Sequence, residues 1–428
     1  MQLFPLSAKG LLVFTFSCLI TQGLTTAANA AKPQHIEQLR TTKSCPKCDL
    51  TDAQLTAVNL QNADLSGAKL DGANLSGADL SGANLSNAQM RGVELSEAVL
   101  VGANLKQAQL GARQLGKEQV VSNLQKANLQ GADLTAANLA SAKLMEANLK
   151  DAKLNYAQLA SANLAKADLI RSQLAVANLA GANLEEAQLK IATLSGANLT
   201  GALMSGANLT TINADSVNLS GADLRQANFT DANLDHANLK GANLQNGVLM
   251  TANLRSANLS ESKLQTANLR GANLTQANLS TANLQGADLS NAKLAIANLT
   301  GTQLMGAKLN SAYLYSANLT QANLNGADLR QALLRSADLT GATLVGATLE
   351  NANLMSTQLT QANLTYSDLT QCDLRGASLK EANLSNANLN QADLQLATLT
   401  GANLTGANLT NAKLQDAIGL NPSAIGNR

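Results

Sequence analysis

A leucine returns at every fifth residue from Leu50 to Leu115 and again from Leu124 to Leu414, with Met90, Met204, Ala214 and Phe229 as the stand-ins. Taking that leucine as position i, Ala usually stands at i−2 and Asn or Asp at i−1. Positions i+1 and i+2 draw mostly on Ser, Thr, Gly, Gln and Asn, as in Gly72-Ala73-Asn74-Leu75-Ser76. This period fits neither common element. On an α-helix each five-residue step turns the leucine by about 140°, so no face stays apolar. On a strand five is odd, and successive leucines would alternate between the two faces.

A corner once per unit removes the conflict. If i−2 to i is a short extended piece, Ala and Leu point the same way. Residues i+1 and i+2 then turn the chain, which suits Gly, Asn and Ser. Repeated corners wind a coil lined by one large and one small residue per side, and each coil stacks on the next by backbone hydrogen bonds. Leu254 thus counts as inward and Ser260, at i+1, as outward. Composition agrees: 45 % apolar residues suffice for such a lining, whereas 2 % aromatics and no Trp exclude a conventional aromatic core. The exceptions agree too. No Pro occurs between Pro46 and Pro422, as needed where backbone N–H groups join coils. Where the leucine shrinks to Ala214, position i−2 grows to Ile212, so the inward volume is roughly kept.

In these residues the chain resembles the pentapeptide-repeat proteins, across residues 50–414. The resemblance implies an all-β fold, a right-handed quadrilateral β-helix with four units per coil. The 73 units would then make about 18 coils and a rod on the order of 85 Å long, at about 4.8 Å per stacked strand.

Residues 1–30 read as a signal peptide: Lys9, an apolar run through Leu11-Leu12-Val13-Phe14, and an Ala28-Asn29-Ala30 cleavage site. The run is too short to span a bilayer, and Cys18 is a poor lipoprotein acceptor, so no stable membrane insertion is expected after cleavage. Residues 31–49 read as an N-terminal cap, with a short helix over Pro33 to Arg40 that carries Ile36 and Leu39 on one side. A short stack over 50–115 is followed by a register break at 116–123, because Leu124 comes nine residues after Leu115 instead of ten. It is expected to separate the short stack from the long one over 124–414, and residues 415–428 read as a C-terminal cap. The caps cover edges that would otherwise support end-to-end growth, and an end-to-end homodimer is one candidate assembly. Exported family members of cyanobacteria and chloroplast lumens show an entry similar to Thr42-Lys43-Ser44-Cys45-Pro46-Lys47-Cys48-Asp49-Leu50.

Little catalytic chemistry can be assembled. Cys45 and Cys48 fall by count on inward positions i and i−2. They suit a first-coil cap joined by a disulfide in an oxidising compartment; a redox dithiol and half of a metal site are the alternatives. Cys372 also counts as inward. His236 counts as outward and reads as a solvated surface residue, with Asp215 and Asp235 nearby as weak metal-site company, and His35 lies near the cysteines. With no catalytic triad, phosphate loop or paired carboxylates, the chain reads as a non-enzyme with no cofactor and no metal. Without the leader it holds 29 basic and 29 acidic residues, and this neutrality disfavours nucleic acid.

The residues leave three functional readings open. The first is an exported rod, in the periplasm or thylakoid lumen, that is structural or binds an unknown protein partner. The second is the family's DNA-mimic binding of topoisomerase, disfavoured by export and neutrality. The third is an ice or surface binder, suggested by Ser280, Thr300, Thr320, Thr340 and Thr360 at twenty-residue spacing. Residues twenty apart should stack, so Tyr315, Arg335, Met355 and Arg375 would form one outward column at i+1 and Tyr313 with Leu333 another at i−1. These residue types anchor protein interfaces, and Tyr315 over Arg335 would add a cation–π contact.

Overall fold

The computed structural model describes residues 30–420. The expected leader lies outside them save for Ala30, as do residues 421–428 of the expected C-terminal cap. The chain forms a parallel β-helix-type solenoid. The i−1 residues bridge to partners twenty residues on, as in Asn163 with Asn183 and Asp168 with Gln188. Four such bridge columns recur per twenty residues, and we label the faces A to D by Leu124, Leu129, Leu134 and Leu139.

Each position of the unit has one physical task. The N–H of i donates to the next coil and that of i−1 to the preceding one, as in Leu199 to Asn218 O (2.7 Å) and Asn198 to Ala177 O (2.9 Å). The i+2 N–H also bonds forward, as in Gly201 to Ser220 O (2.9 Å), while the next Ala N–H closes the corner onto the leucine carbonyl, as in Ala202 to Leu199 O (3.0 Å). Position i+2 takes positive φ, for example +63° at Gly201 and +56° at His236, the third residue of a type II turn. That explains the glycines there. The remaining donor, the N–H of i+1, is met by the Asn or Asp side chain at i−1, as in Thr200 N to Asn198 Oδ1 (3.2 Å). The same Asn donates to its counterpart one coil back, Asn198 Nδ2 to Asn178 Oδ1 (3.2 Å). Every backbone donor of such a unit is therefore satisfied. Ala and Leu fill the interior almost without exposure. At four leucines per coil, each contributes about 1.5–3 kcal/mol of apolar burial as an upper value.

At the N-terminal end helix α1, Pro33–Thr42, lies over the first coil with Leu39 fully buried and Ile36 against the core. Pro33 sits in its first turn, where a missing N–H is harmless, and Lys43 ends it at φ +53°. His35 Nδ1 accepts from the Asp49 N–H (2.9 Å) and fastens the helix to the coil.

The break is different from the expected one. Leu115 is not a repeat leucine: it is 46 % exposed and belongs to strand β1, Arg113–Leu115, which pairs antiparallel with β2, Glu118–Val120. The repeat stops at Leu110 and resumes at Ser122, and bridges continue across the insert with an offset of 29, from Glu94–Asn123 to Gln109–Asn138. The insert therefore does not separate two stacks. It replaces one corner residue by a hairpin that folds back along the D–A corner, and Arg113 pairs there with Asp52 and reaches the Asp71 carbonyl (3.2 Å). Gly72 and Gly92 make room for it, since a Cβ at either would meet Arg113.

Candidate functional site

The unit's internal bonds define what a departure means. Where i−1 is not Asn or Asp, the N–H of i+1 needs another acceptor, as Ser96 finds in Glu94 Oε1 (2.9 Å) and Ala175 in Asn155 Oδ1 one coil back (3.0 Å), and those of Ala295, Tyr315 and Arg335 have no side-chain acceptor among the described residues. On face C two runs of three coils depart, Lys153, Gln173, Thr193 and Lys293, Tyr313, Leu333, each bridged one above the other, and the second presents an aromatic and an aliphatic side chain. Beside them Tyr315, Arg335, Met355 and Arg375 stack at i+1, aligned by Ser316 N to Arg335 O (3.1 Å), Ser336 N to Met355 O (3.0 Å) and Ser356 N to Arg375 O (2.9 Å). All six residues singled out from the sequence thus share one surface. Tyr313 and Tyr315 are 41 % and 39 % exposed, and Leu333 and Met355 are half-buried.

The surface differs from expectation in its contacts. Tyr315 packs on Tyr313, with ring centroids 6.5 Å apart and planes tilted by 48°, and not on Arg335. Arg375 is held by Asp373 through Nη2 to Oδ2 (2.7 Å). That bond keeps the Asp373 carboxyl below its usual range, against a smaller opposing effect of burial, and raises the Arg375 guanidinium. Arg335 and Lys293 are exposed cations of the patch with no ion pair among the described residues.

Ile296 completes the patch and was not singled out from the sequence. Its N–H bonds to the Tyr315 carbonyl (2.9 Å), it is 60 % exposed, and it holds φ +60°. A β-branched residue in the left-handed region is disfavoured locally, and exposing its side chain adds no compensating burial. The available signal was an isoleucine at i+2, where Gly or a small polar residue is the rule.

Other expected sites fall elsewhere. Cys45 and Cys48 are joined by a disulfide across the first corner, beneath α1, and both are buried. Cys372 is buried, its Sγ donates to Leu349 O (2.8 Å), and burial pushes its thiol pKa up to about 12. The hydroxyl ladder Ser280, Thr300, Thr320, Thr340, Thr360 is aligned on face D, where Thr300 Oγ1 donates to Asn298 Oδ1 (2.7 Å). Ser260, in the same column, is buried at 8 % exposure although it stands at a corner, and its hydroxyl donates to Asn258 Oδ1 (2.8 Å).

Two family models match the chain. One, described as pentapeptide repeats (8 copies), covers 48–111, 122–231 and 312–416 in overlapping segments; the other, a pentapeptide repeat region, covers 222–315. No curated protein matches. Similar solved structures include HetL, a pentapeptide repeat protein involved in heterocyst differentiation regulation from the cyanobacterium Nostoc sp. strain PCC 7120. It is 33 % identical over 56 % of this chain and 88 % of that one, with a TM-score of 0.34. A pentapeptide repeat protein from the Arabidopsis thaliana thylakoid lumen is 33 % identical over 24 % and 70 %, with a TM-score of 0.23. QnrB1, a plasmid-mediated fluoroquinolone resistance protein, is 21 % identical over 38 % and 91 %, with a TM-score of 0.25.

Proposed function

From the premise that this chain belongs to the pentapeptide-repeat family, we propose that it is an exported, non-catalytic rod that binds a protein partner through face C around Tyr315. The observation that carries this reading is local. Over three consecutive coils the sequence gives up the Asn or Asp that satisfies a backbone N–H and presents Tyr313, Leu333 and Lys293 instead. Next to them it keeps Ile296 exposed in a backbone conformation that isoleucine disfavours. Strain of this kind persists where something else selects for it. Aromatic and long apolar side chains with an adjacent Arg are the groups that anchor protein interfaces. The coil itself is proposed to be the right-handed quadrilateral helix; four bridge columns per turn support its four sides.

The Cys45–Cys48 disulfide supports an oxidising compartment, the periplasm or a thylakoid lumen. Mature protein should then begin at Ala31, and N-terminal sequencing that returns Met1 would overturn export. Cross-linking in the native compartment tests the binding reading. The double substitution Tyr315→Ala with Leu333→Asn should abolish partner capture while the thermal midpoint stays within a few degrees. Unchanged capture would refute it.

An end-to-end homodimer through the coil edges is the second proposal. Light scattering that finds a monomer at high concentration would exclude it.

A further inference from the structure

Charged side chains one coil apart are commonly of opposite sign in this rod: Arg91 on Asp71 (2.9 Å), Arg171 on Asp151 (2.7 Å) and Lys166 with Glu186 (3.8 Å). Among the described residues two columns stack an acid on an acid. In one, Asp373 and Asp393 each have a cation, Arg375 (2.7 Å) and Lys413 (3.4 Å). The other is Asp215 and Asp235 at i+1 of face C, aligned by Ser216 N to Asp235 O (2.8 Å). Like charges placed opposite each other in this way destabilise a sheet unless something lies between them.

What lies there is His236, the one histidine of the repeat array. Its Nδ1 is 3.3 Å from Asp235 Oδ2 and 3.9 Å from Asp215 Oδ1. One ligand atom from each of the three residues lies within 4.8 Å of the others. Around them, Ser216 Oγ donates to Asp215 Oδ2 (3.3 Å), and Arg255 Nη1 stands 3.7 Å from Asp235 Oδ2. The second oxygen of Asp235, Oδ1, is shielded from solvent and accepts no hydrogen bond from the protein. The oxygen of Asp235 that faces His236 is Oδ2, which also carries the contact with Arg255.

We propose that Asp215, Asp235 and His236 bind a divalent transition-metal ion of the zinc class. Zinc bonds of about 2.0–2.2 Å to N and O put tetrahedral ligands roughly 3.4 Å apart, close to the separations His236 already makes. Two carboxylates and a neutral imidazole balance the ion's charge and relieve the stacked acids. The imidazole favours zinc-class ions over magnesium and calcium, which take oxygen alone. The three residues sit on a corner whose backbone is fixed by bonds between coils, so the site is arranged before the ion arrives. The fourth position opens to solvent, where water or a group from a bound partner would complete the shell.

Calorimetric titration of the chelator-treated full chain with zinc chloride tests this. One equivalent should bind, unaffected by millimolar magnesium. His236→Ala and Asp215→Asn should each weaken binding more than about tenfold, the least that disturbing even a supporting group of a metal site costs, while circular dichroism shows each variant folded. His35→Ala, at the cap, should bind like the parent. Absence of saturable binding, or binding that survives His236→Ala, would overturn the proposal.

Discussion

Ala214→Leu moves a residue toward the repeat's own consensus, and it should destabilise the protein. Ile212 and Ala214 occupy the small and large inward slots of one side in reverse order, and both are essentially buried, as is Val217 in the next unit. The backbone there keeps the usual spacing, with Asn213 N to Ala192 O at 3.0 Å and Ala214 N to Asn233 O at 2.8 Å, so the coil has not widened. Ile plus Ala carries the same number of side-chain carbons as Ala plus Leu. Leucine at 214 therefore adds three carbons to a filled slot, an overpacking cost of about 1–3 kcal/mol. Ile212→Ala alone opens a cavity and should cost about 2–5 kcal/mol. The double substitution restores the usual order of small and large slots and should cost less than about 1.5 kcal/mol, as a volume-conserving exchange. The cycle then gives a favourable coupling of more than about 1.5 kcal/mol, as expected for touching residues. Urea unfolding followed by circular dichroism measures the totals. Hydrogen exchange at the amides of Asn213 and Ala214 reads the local effect, since a solenoid passes little of it beyond neighbouring coils. A neutral or stabilising Ala214→Leu, or additive single effects, would refute the reasoning.

Leu254→Ala, in a fully buried slot, should cost about 2–5 kcal/mol, whereas Gln276→Ala, at an exposed corner, should change stability by less than about 0.5 kcal/mol; equal effects in urea unfolding would contradict the inward assignment. Because the Cys372 thiol is buried with its pKa pushed up to about 12, its peptide should resist alkylation at pH 8 in the native protein and react fully in denaturant, as mass spectrometry would record. Hydrogen bonds from Arg225, Arg330 and Arg375 hold the carboxyls of Asp223, Asp328 and Asp373 below the usual range. Their contribution is present above the unfolded carboxylate pKa of about 4 and is lost as pH falls through the lower native values. Thermal midpoints should therefore drop below pH 4, and less steeply in Asp373→Asn; an unchanged slope would argue against it.

The five-residue period could be read directly because it is a local property. A chain that must turn once per unit has one inward large slot and one inward small slot, so Leu254, Cys45, Cys48 and Cys372 could be placed by counting alone, and all four are buried. Stacking at twenty residues, implied by family resemblance, likewise brought Tyr313, Tyr315, Leu333 and Arg335 together on one face. Counting could not say why i−1 is Asn or Asp. That reason involves two layers at once: one carboxamide accepts from its own corner and donates to the coil before it, as Asn198 does with Thr200 and Asn178. Nor could it find where the insert begins, since Leu115 still keeps the five-residue step. Its fate was decided by a hairpin lying against Gly72, Gly92 and Asp52, far back in sequence. Which residues face inward follows from chain order alone, because the corner acts within five residues; which outward residues meet was settled by stacking, because those contacts arise only between coils.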